Sequence, residues 1–217
     1  MRRVWVDSVA PDRAALEEAA EAIRAGGVVV LPTDTFYGLA ADPFSRPAVL
    51  RVFSLKGREA GQALPLIACD VEQVECRVGK LPRAVRALAD HFWPGPLTLL
   101  LAAPDTVAEE ATGGTGRIGI RVPNHVVATE LCRLCDRPLT ATSANLSGRP
   151  ASADPGTVAE GLAEVEAQID VLLDAGPTPG GSPSTIVDVG DDEPRLVRAG
   201  AIPWNTIQAC LAAALGS

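Results

Sequence analysis

Apolar positions along the chain alternate between a helical period near 3.6 and short continuous runs. Residues 12–25 form the first clear element. Leu16, Ala19, Ala20 and Ile23 share one helical face, Asp12 can cap the start, and Gly26-Gly27 follows Arg24 as a stop. Val28 to Leu31 is wholly apolar, the pattern of a strand buried on both faces. The alternation predicts a helix near Pro47 to Leu55, a strand over Leu64 to Ala68, a helix from Pro82 to Phe92 and a strand over Leu97 to Ala102. It continues with a strand over Ile118 to Val122, a helix capped by Asn124 and a strand over Leu139 to Ala141. A helix near Pro155 to Gln168, strands over Val171 to Leu173, Thr185 to Val189 and Arg195 to Val197, and a helix from Pro203 complete the pattern. Helices alternating with short apolar strands define an α/β fold, and the close spacing of the late strands predicts one mixed sheet with flanking helices.

Composition narrows the class. With 47% hydrophobic and 21% charged residues over 217 positions, the chain can bury a full core, and one domain over residues 1–217 is expected. No apolar run approaches the ~20 residues that cross a bilayer. The run from Leu97 to Ala103 stops at Pro104, and Asp7 and Ser8 interrupt the segment after Met1-Arg2-Arg3, so neither a membrane span nor a signal peptide is expected and the location reads as cytoplasmic. A net charge of −8 argues against generalised binding to nucleic acid or anionic membrane. The cations are nearly all Arg, with Lys56 and Lys80 the only lysines, and Arg reads planar oxyanions bidentately. Five cysteines, an odd number in a chain of this length, fit a reducing compartment rather than a disulfide framework.

Four polar, glycine-bearing or cationic segments sit at element ends, where α/β proteins place ligands. They are Pro32-Thr33-Asp34-Thr35-Phe36-Tyr37-Gly38-Leu39, Lys56-Gly57-Arg58, Thr142-Ser143-Ala144-Asn145-Leu146-Ser147-Gly148 and Ser182-Pro183-Ser184-Thr185. Each has an ordinary alternative as a turn, a cap or a helix-end cation.

In order along the chain, Pro32 to Leu39, Lys56-x-Arg58, Trp93-Pro94-Gly95-Pro96-Leu97-Thr98, Arg121-Val122-Pro123, Ser143 to Gly148, Ser184-Thr185-Ile186-Val187-Asp188 and Arg198-x-Gly200 resemble the YrdC-like family of threonylcarbamoyl-AMP synthases, over about residues 15–202. The resemblance implies a YrdC-like twisted mixed sheet around a concave, positively lined groove. It implies a nucleotidyltransferase that joins L-threonine, bicarbonate and ATP into threonylcarbamoyl-AMP and pyrophosphate. A separate transferase would then carry the group to adenosine in tRNA. By the same resemblance, Thr35, Arg121, Thr142 and Ser184 fall to the threonine side, and Arg58, Ser143, Asn145 and Arg198 to the ATP side. Lys56 bridges the two, and Lys56 and Arg58 carry the catalysis. Mg2+ is expected to arrive with ATP, held by phosphates and water, with no metal bound by the protein's own side chains. The chemistry suits such residues, because all attacking groups belong to substrates and the protein supplies position and charge. The chain departs from the family pattern at Glu59, where a Pro is common, at Arg117, where some relatives carry Thr, and near Gln62, which replaces an Asn.

Other motifs have plainer explanations. Gly114-x-Gly116-x-x-Gly119 leads into a strand, whereas a dinucleotide fingerprint must open a helix, and no Gly-Lys-Ser/Thr P-loop is present. Cys132 and Cys135 share a helical face without partner ligands and read as core. Ser143 lacks the Gly-x-Ser-x-Gly elbow of a hydrolase, and Trp93 reads as packing. The alternative function is a same-fold paralogue that binds double-stranded RNA or tRNA by shape with little synthase activity. A carbamoyl-phosphate-handling module is a more remote one.

Overall fold

The computed structural model of the chain describes residues 1–57, 61–190 and 194–215. In chain order its elements are β1 (Arg2–Trp5), α1 (Arg13–Arg24), β2 (Val29–Leu31), β3 (Gly38–Ala40), α2 (Arg46–Lys56), β4 (Leu66–Ile67), α3 (Val71–Arg77), α4 (Arg83–Phe92), β5 (Leu97–Ala102), β6 (Arg117–Arg121), α5 (Val126–Leu134), β7 (Leu139–Thr140), β8 (Thr142–Ser143), α6 (Pro155–Gly161), β9 (Val171–Asp174), β10 (Thr185–Asp188), β11 (Arg195–Arg198) and α7 (Trp204–Leu215). Short 3-10 turns occupy Glu109–Thr112 and Ala163–Gln168. Among the described residues no helix is long and apolar enough to cross a membrane.

The strands form two mixed sheets rather than one, in the orders β1-β9-β2-β3-β8 and β11-β10-β5-β6-β4-β7. The division falls at Ala141, which separates β7 from β8. The residues before it pair with β4, and those after it pair with β3. A strand that breaks within one residue is invisible to a pattern of apolar positions, which explains why a single sheet is the natural expectation.

Side-chain alternation then builds two cores. Val29 and Leu31 of β2 point toward α1 and α5, joining Leu16, Ala19, Val127, Leu131 and Cys132. Val28 and Val30 point the other way, into the larger core with Leu66, Leu99 and Ile120. This two-sided burial is what the unbroken apolar run encodes. In the six-stranded sheet, Leu97, Leu99 and Leu101 of β5 and Ile118 and Ile120 of β6 belong to that same core, together with Val85 and Leu88 of α4 and Ile207 and Leu211 of α7. The opposite face, with Thr98, Leu100, Gly119 and Arg121, lines a cavity instead.

Local signals explain most boundaries. Asp12 caps α1 by accepting from the Ala14 amide at 2.8 Å. Gly57 takes the left-handed conformation (φ 58°) that ends α2. The helix expected from Asn124 starts one residue later. His125 occupies the cap position without a capping bond, and Asn124 is exposed. The helix expected through Gln168 ends at Gly161, a poor helix former, and continues only as the 3-10 turn. Four further elements lie outside the pattern reading. β1 is an edge strand, α3 is a short helix capped by Asp70, and β3 and β8 are very short strands beside the cavity.

Tyr37, the single tyrosine, joins the loop after β2 to the end of β9. Its hydroxyl donates to the Gly176 carbonyl at 2.7 Å and accepts from the Ala175 amide at 3.1 Å, and burial pushes its pKa up to about 12. Tyr37→Phe leaves both backbone groups without this partner while preserving shape. A loss of about 1–3 kcal/mol in urea denaturation, with an unchanged circular dichroism spectrum, is the expected outcome.

Candidate active site

The cavity measures about 600 Å³ and lies between the open face of the six-stranded sheet, the loop after β2, and β8. Three short structures aim polar groups into it. The first is the turn over residues 33–37. Thr33 Oγ1 donates to the Phe36 carbonyl at 2.7 Å and accepts from the Thr35 amide at 3.2 Å, so the turn folds around its own hydroxyl. Arg121, the last residue of β6 and only 7% exposed, reaches this turn. Its Nη2 donates to the hydroxyls of Thr33 and Thr35 at 3.2 and 3.4 Å, and its Nη1 donates to Asp34.

The second is the start of β10. Ser184 Oγ and Thr98 Oγ1 lie 2.8 Å apart. Arg198 donates to the Ser184 carbonyl at 2.7 Å through Nη2 and at 3.2 Å through Nε, and to the Ser184 hydroxyl at 3.0 Å. Burial, and then the positive charge of Arg121, hold the Arg198 pKa below its ordinary value. The two guanidinium groups are therefore near enough to repel. Among the described residues Arg198 has no carboxylate within salt-bridge distance, whereas Arg121 has Asp34.

The third is β8 and the loop that follows it. Thr142 and Ser143 line the cavity. Beneath them, Lys56 at the end of α2 is 4% exposed. Its ammonium donates to the Ser143 carbonyl at 2.6 Å and to the carbonyl and side-chain Oδ1 of Asn145, both at 3.0 Å. The Ser143 hydroxyl also donates to Asn145 Oδ1, and the Ser147 amide donates to the Lys56 carbonyl at 3.0 Å. Lys56 thus fastens the loop from below.

Thr35, Arg121, Thr142, Ser143, Ser184 and Arg198 consequently line one cavity. Lys56 and Asn145 are outside its lining, joined to it through Ser143, and Arg58, with Glu59, lies outside the described residues. Gln62 is exposed. Arg117 is engaged by Asp188, to which it donates at 2.6 and 3.0 Å, and Arg195 donates to the same carboxylate at 3.0 Å. Asp34, Thr33 and Thr98 belong to the site but not to the set picked from sequence. All three fall inside the segments Pro32 to Leu39 and Trp93 to Thr98 without being singled out there.

A family model described as Sua5_yciO_yrdC, telomere recombination, matches residues 21–200. The chain belongs to that family. A threonylcarbamoyl-AMP synthase of Pyrococcus abyssi is 38% identical over 190 residues, covering 88% of this chain and 55% of that protein. A threonylcarbamoyl-AMP synthase of Bacillus subtilis is 35% identical over 206 residues, covering 94% of this chain and 59% of that protein. The chain thus spans less than two thirds of the length of either relative. A crystal structure of P. abyssi Sua5 complexed with L-threonine superposes with a TM-score of 0.90 at 35% identity, over 97% of this chain and 61% of that one.

The remaining motifs of this family member lie in turns and in the packed core. Gly114 and Gly116 have positive φ in the turn that opens β6, so the glycine series precedes a strand. Cys132 and Cys135 are buried in the smaller core, and burial pushes both thiols upward, Cys135 to about 11. Trp93 is 8% exposed and donates through Nε1 to the Leu97 carbonyl at 2.7 Å, between α4 and β5. Among the described residues, buried His125 Nδ1 has no hydrogen-bond partner. Burial holds the His125 pKa below the usual imidazole value, with the Asp34 charge opposing.

Because the folded state binds a proton on His125 less readily than the unfolded state, its contribution is intact above the unfolded value of about 6.5 and is lost as pH falls through the lowered folded value. Denaturation of wild type and His125→Gln at about pH 7.5 and about pH 5.5 checks this: the wild type should lose more stability on acidification than the variant.

Proposed function

We propose that this chain is a threonylcarbamoyl-AMP synthase, which converts L-threonine, bicarbonate and ATP into threonylcarbamoyl-adenylate and pyrophosphate. The observation that carries the reading is one cavity with hydroxyls around two arginines, of which Arg121 is paired with Asp34 and Arg198, among the described residues, has no carboxylate within salt-bridge distance. Such a wall suits a ligand with several anionic groups and a hydroxyl. The named activity of the relatives and the threonine-bound P. abyssi structure support the choice of ligand.

In this reading the neutral amine of threonine forms a bond to the carbon of bicarbonate, water leaves, and a carbamate results. A carbamate oxygen then bonds to the α-phosphorus of ATP as the bond to the β-phosphate oxygen breaks, and pyrophosphate departs. Every attacking group is supplied by substrate, so the protein acts by holding groups in line and stabilising negative charge. Arg121 takes the threonine carboxylate, with Thr35, Thr142 and Ser184 toward its hydroxyl. Arg198, Ser143, Asn145 and Arg58 serve the nucleotide, and Lys56 bridges the two halves through the loop it holds. Among the described residues the cavity's polar lining is hydroxyl and guanidinium, without a carboxylate, which suits Mg2+ carried in by the phosphates, where it would neutralise their charge. The product would pass to a separate tRNA threonylcarbamoyl transferase, and the cytoplasm is the setting this implies.

Purified protein should release pyrophosphate only when ATP, bicarbonate and L-threonine are all present. Equal release without threonine would identify a plain ATP pyrophosphatase and remove the assignment. The pocket's hydroxyls predict the order among analogues. A site that bonds a substrate hydroxyl rejects the analogue lacking it by up to about 10⁴-fold, whereas a missing methyl costs roughly 10–200-fold. Serine should therefore exceed valine in kcat/KM, and the reverse order would show selection by shape.

A further inference from the structure

Arg121 is held differently on its two edges. The Nη2 edge meets the neutral hydroxyls of Thr33 and Thr35, which line the cavity and lie 3.1 Å from each other. The Nη1 edge meets the Asp34 carboxylate, which is outside the cavity lining and only 8% exposed. We propose that Asp34 is a positioning residue, a buried anchor behind Arg121 that keeps the guanidinium turned toward the cavity so that its other edge receives a ligand carboxylate. The proposal rests on the role given to Arg121 in the proposed function.

Three observations carry it. Asp34 Oδ2 is buried without a partner, one of two such side-chain atoms among the described residues. A buried ion pair that leaves one oxygen unsatisfied is a poor device for stability, since well-packed apolar groups serve a core as well or better. The second such atom is His125 Nδ1, on a side chain that senses the Asp34 charge. This carboxylate is therefore directed at Arg121 and is not shared with another described cation. Finally, Arg198 senses the positive charge of Arg121 from within the same cavity. Without an anion behind it, Arg121 would be driven from Arg198 and from the wall it serves. Asp34 removes that drive without occupying the cavity.

The test uses the full chain with Asp34→Asn, which keeps the shape and removes the charge, and Asp34→Glu, which keeps the charge and displaces it. In the unliganded protein, the Arg121 guanidinium N–H signals in nitrogen-15 NMR, assigned by their loss in Arg121→Lys, should be sharp in wild type and broadened in Asp34→Asn. Calorimetric titration should show threonine binding weakened about tenfold or more in both variants, with affinity for a non-hydrolysable ATP analogue unchanged. If Asp34→Asn does not fold, the Glu variant decides by the same split between the two ligands. Sharp signals together with wild-type threonine affinity would overturn the proposal, and so would a parallel loss of both ligands, which marks a fold-wide role. A wild type that binds no threonine would overturn the functional reading instead, and the NMR comparison would still decide whether Asp34 holds Arg121.

Discussion

Thr140 is the point at which the two sheets are tied, and the site depends on that tie. The residue is fully buried. Its amide donates to the Ala41 carbonyl at 3.0 Å, while its hydroxyl accepts from the Ala41 amide at 2.9 Å and donates to the Leu39 carbonyl at 3.2 Å. One residue of β7, paired in the six-stranded sheet, thus satisfies backbone groups at the end of β3 in the other sheet. The next amide, Ala141, donates to the Pro65 carbonyl at 2.8 Å, and the chain then enters β8. Backbone groups inside a protein must find partners, and a strand that changes sheets leaves several of them facing the gap. A threonine hydroxyl resolves this because it donates and accepts at once. The gap that remains beyond Ala141 is the cavity, lined by Ala141, Thr142 and Ser143.

Charge sets that gap apart from the rest of the molecule. The chain carries a net charge of −8, but the cavity wall carries Arg121 and Arg198. Two guanidinium groups on one cavity wall repel, and an anion between them relieves that repulsion. The asymmetry matters as well. Arg121 arrives with a carboxylate behind it, whereas Arg198 is held by the carbonyl and hydroxyl of Ser184, which supply dipoles but no charge. Among the described residues the cavity is therefore graded, with its larger unneutralised charge on the Arg198 side.

Much of this architecture was legible because burial leaves a pattern. The strand Leu97–Ala102 matches its expected bounds, since Pro96 and Ala103-Pro104 bracket an apolar run. The helix Arg13–Arg24 matches to within a residue, since Asp12 and Gly26 punctuate it. The strand Arg2–Trp5 left no pattern because it is an exposed edge, with its arginines paired to Glu18 and Asp174. Gly38–Ala40 and Thr142–Ser143 give no strand pattern because they are three and two residues long, too short for alternation to show, and only their pairing makes them strands. At the site, hydroxyls and arginines could be picked out as ligand-binding types. Asp34, between two threonines, carries the signature of a turn, and its ion pair with Arg121 spans too much sequence for spacing to suggest it. Lys56 shows the complementary limit. A lysine at a helix end reads as an exposed cation, and nothing local indicates that three oxygens of a distant loop enclose it.

The family match covers residues 21–200, but the unit that supports the site is larger than that span. Leu16, Ala19 and Ala20 of α1 are buried against α5, so the smaller core draws on residues that precede the match. Ile207 and Leu211 of α7 are buried in the larger core together with Val85 and Leu88 of α4. That core also contains Leu97, Leu99 and Ile120, whose strands present Thr98, Gly119 and Arg121 to the cavity from the opposite face. A sheet with one face open to a ligand has only its other face to hold it flat. Apolar burial contributes about 25 cal/mol for each Å² removed from water. Removing α7 would uncover the part of the larger core that it shares with α4, the helix packed on β5, and so loosen the backing of the sheet that carries the arginines without changing any cavity-lining residue.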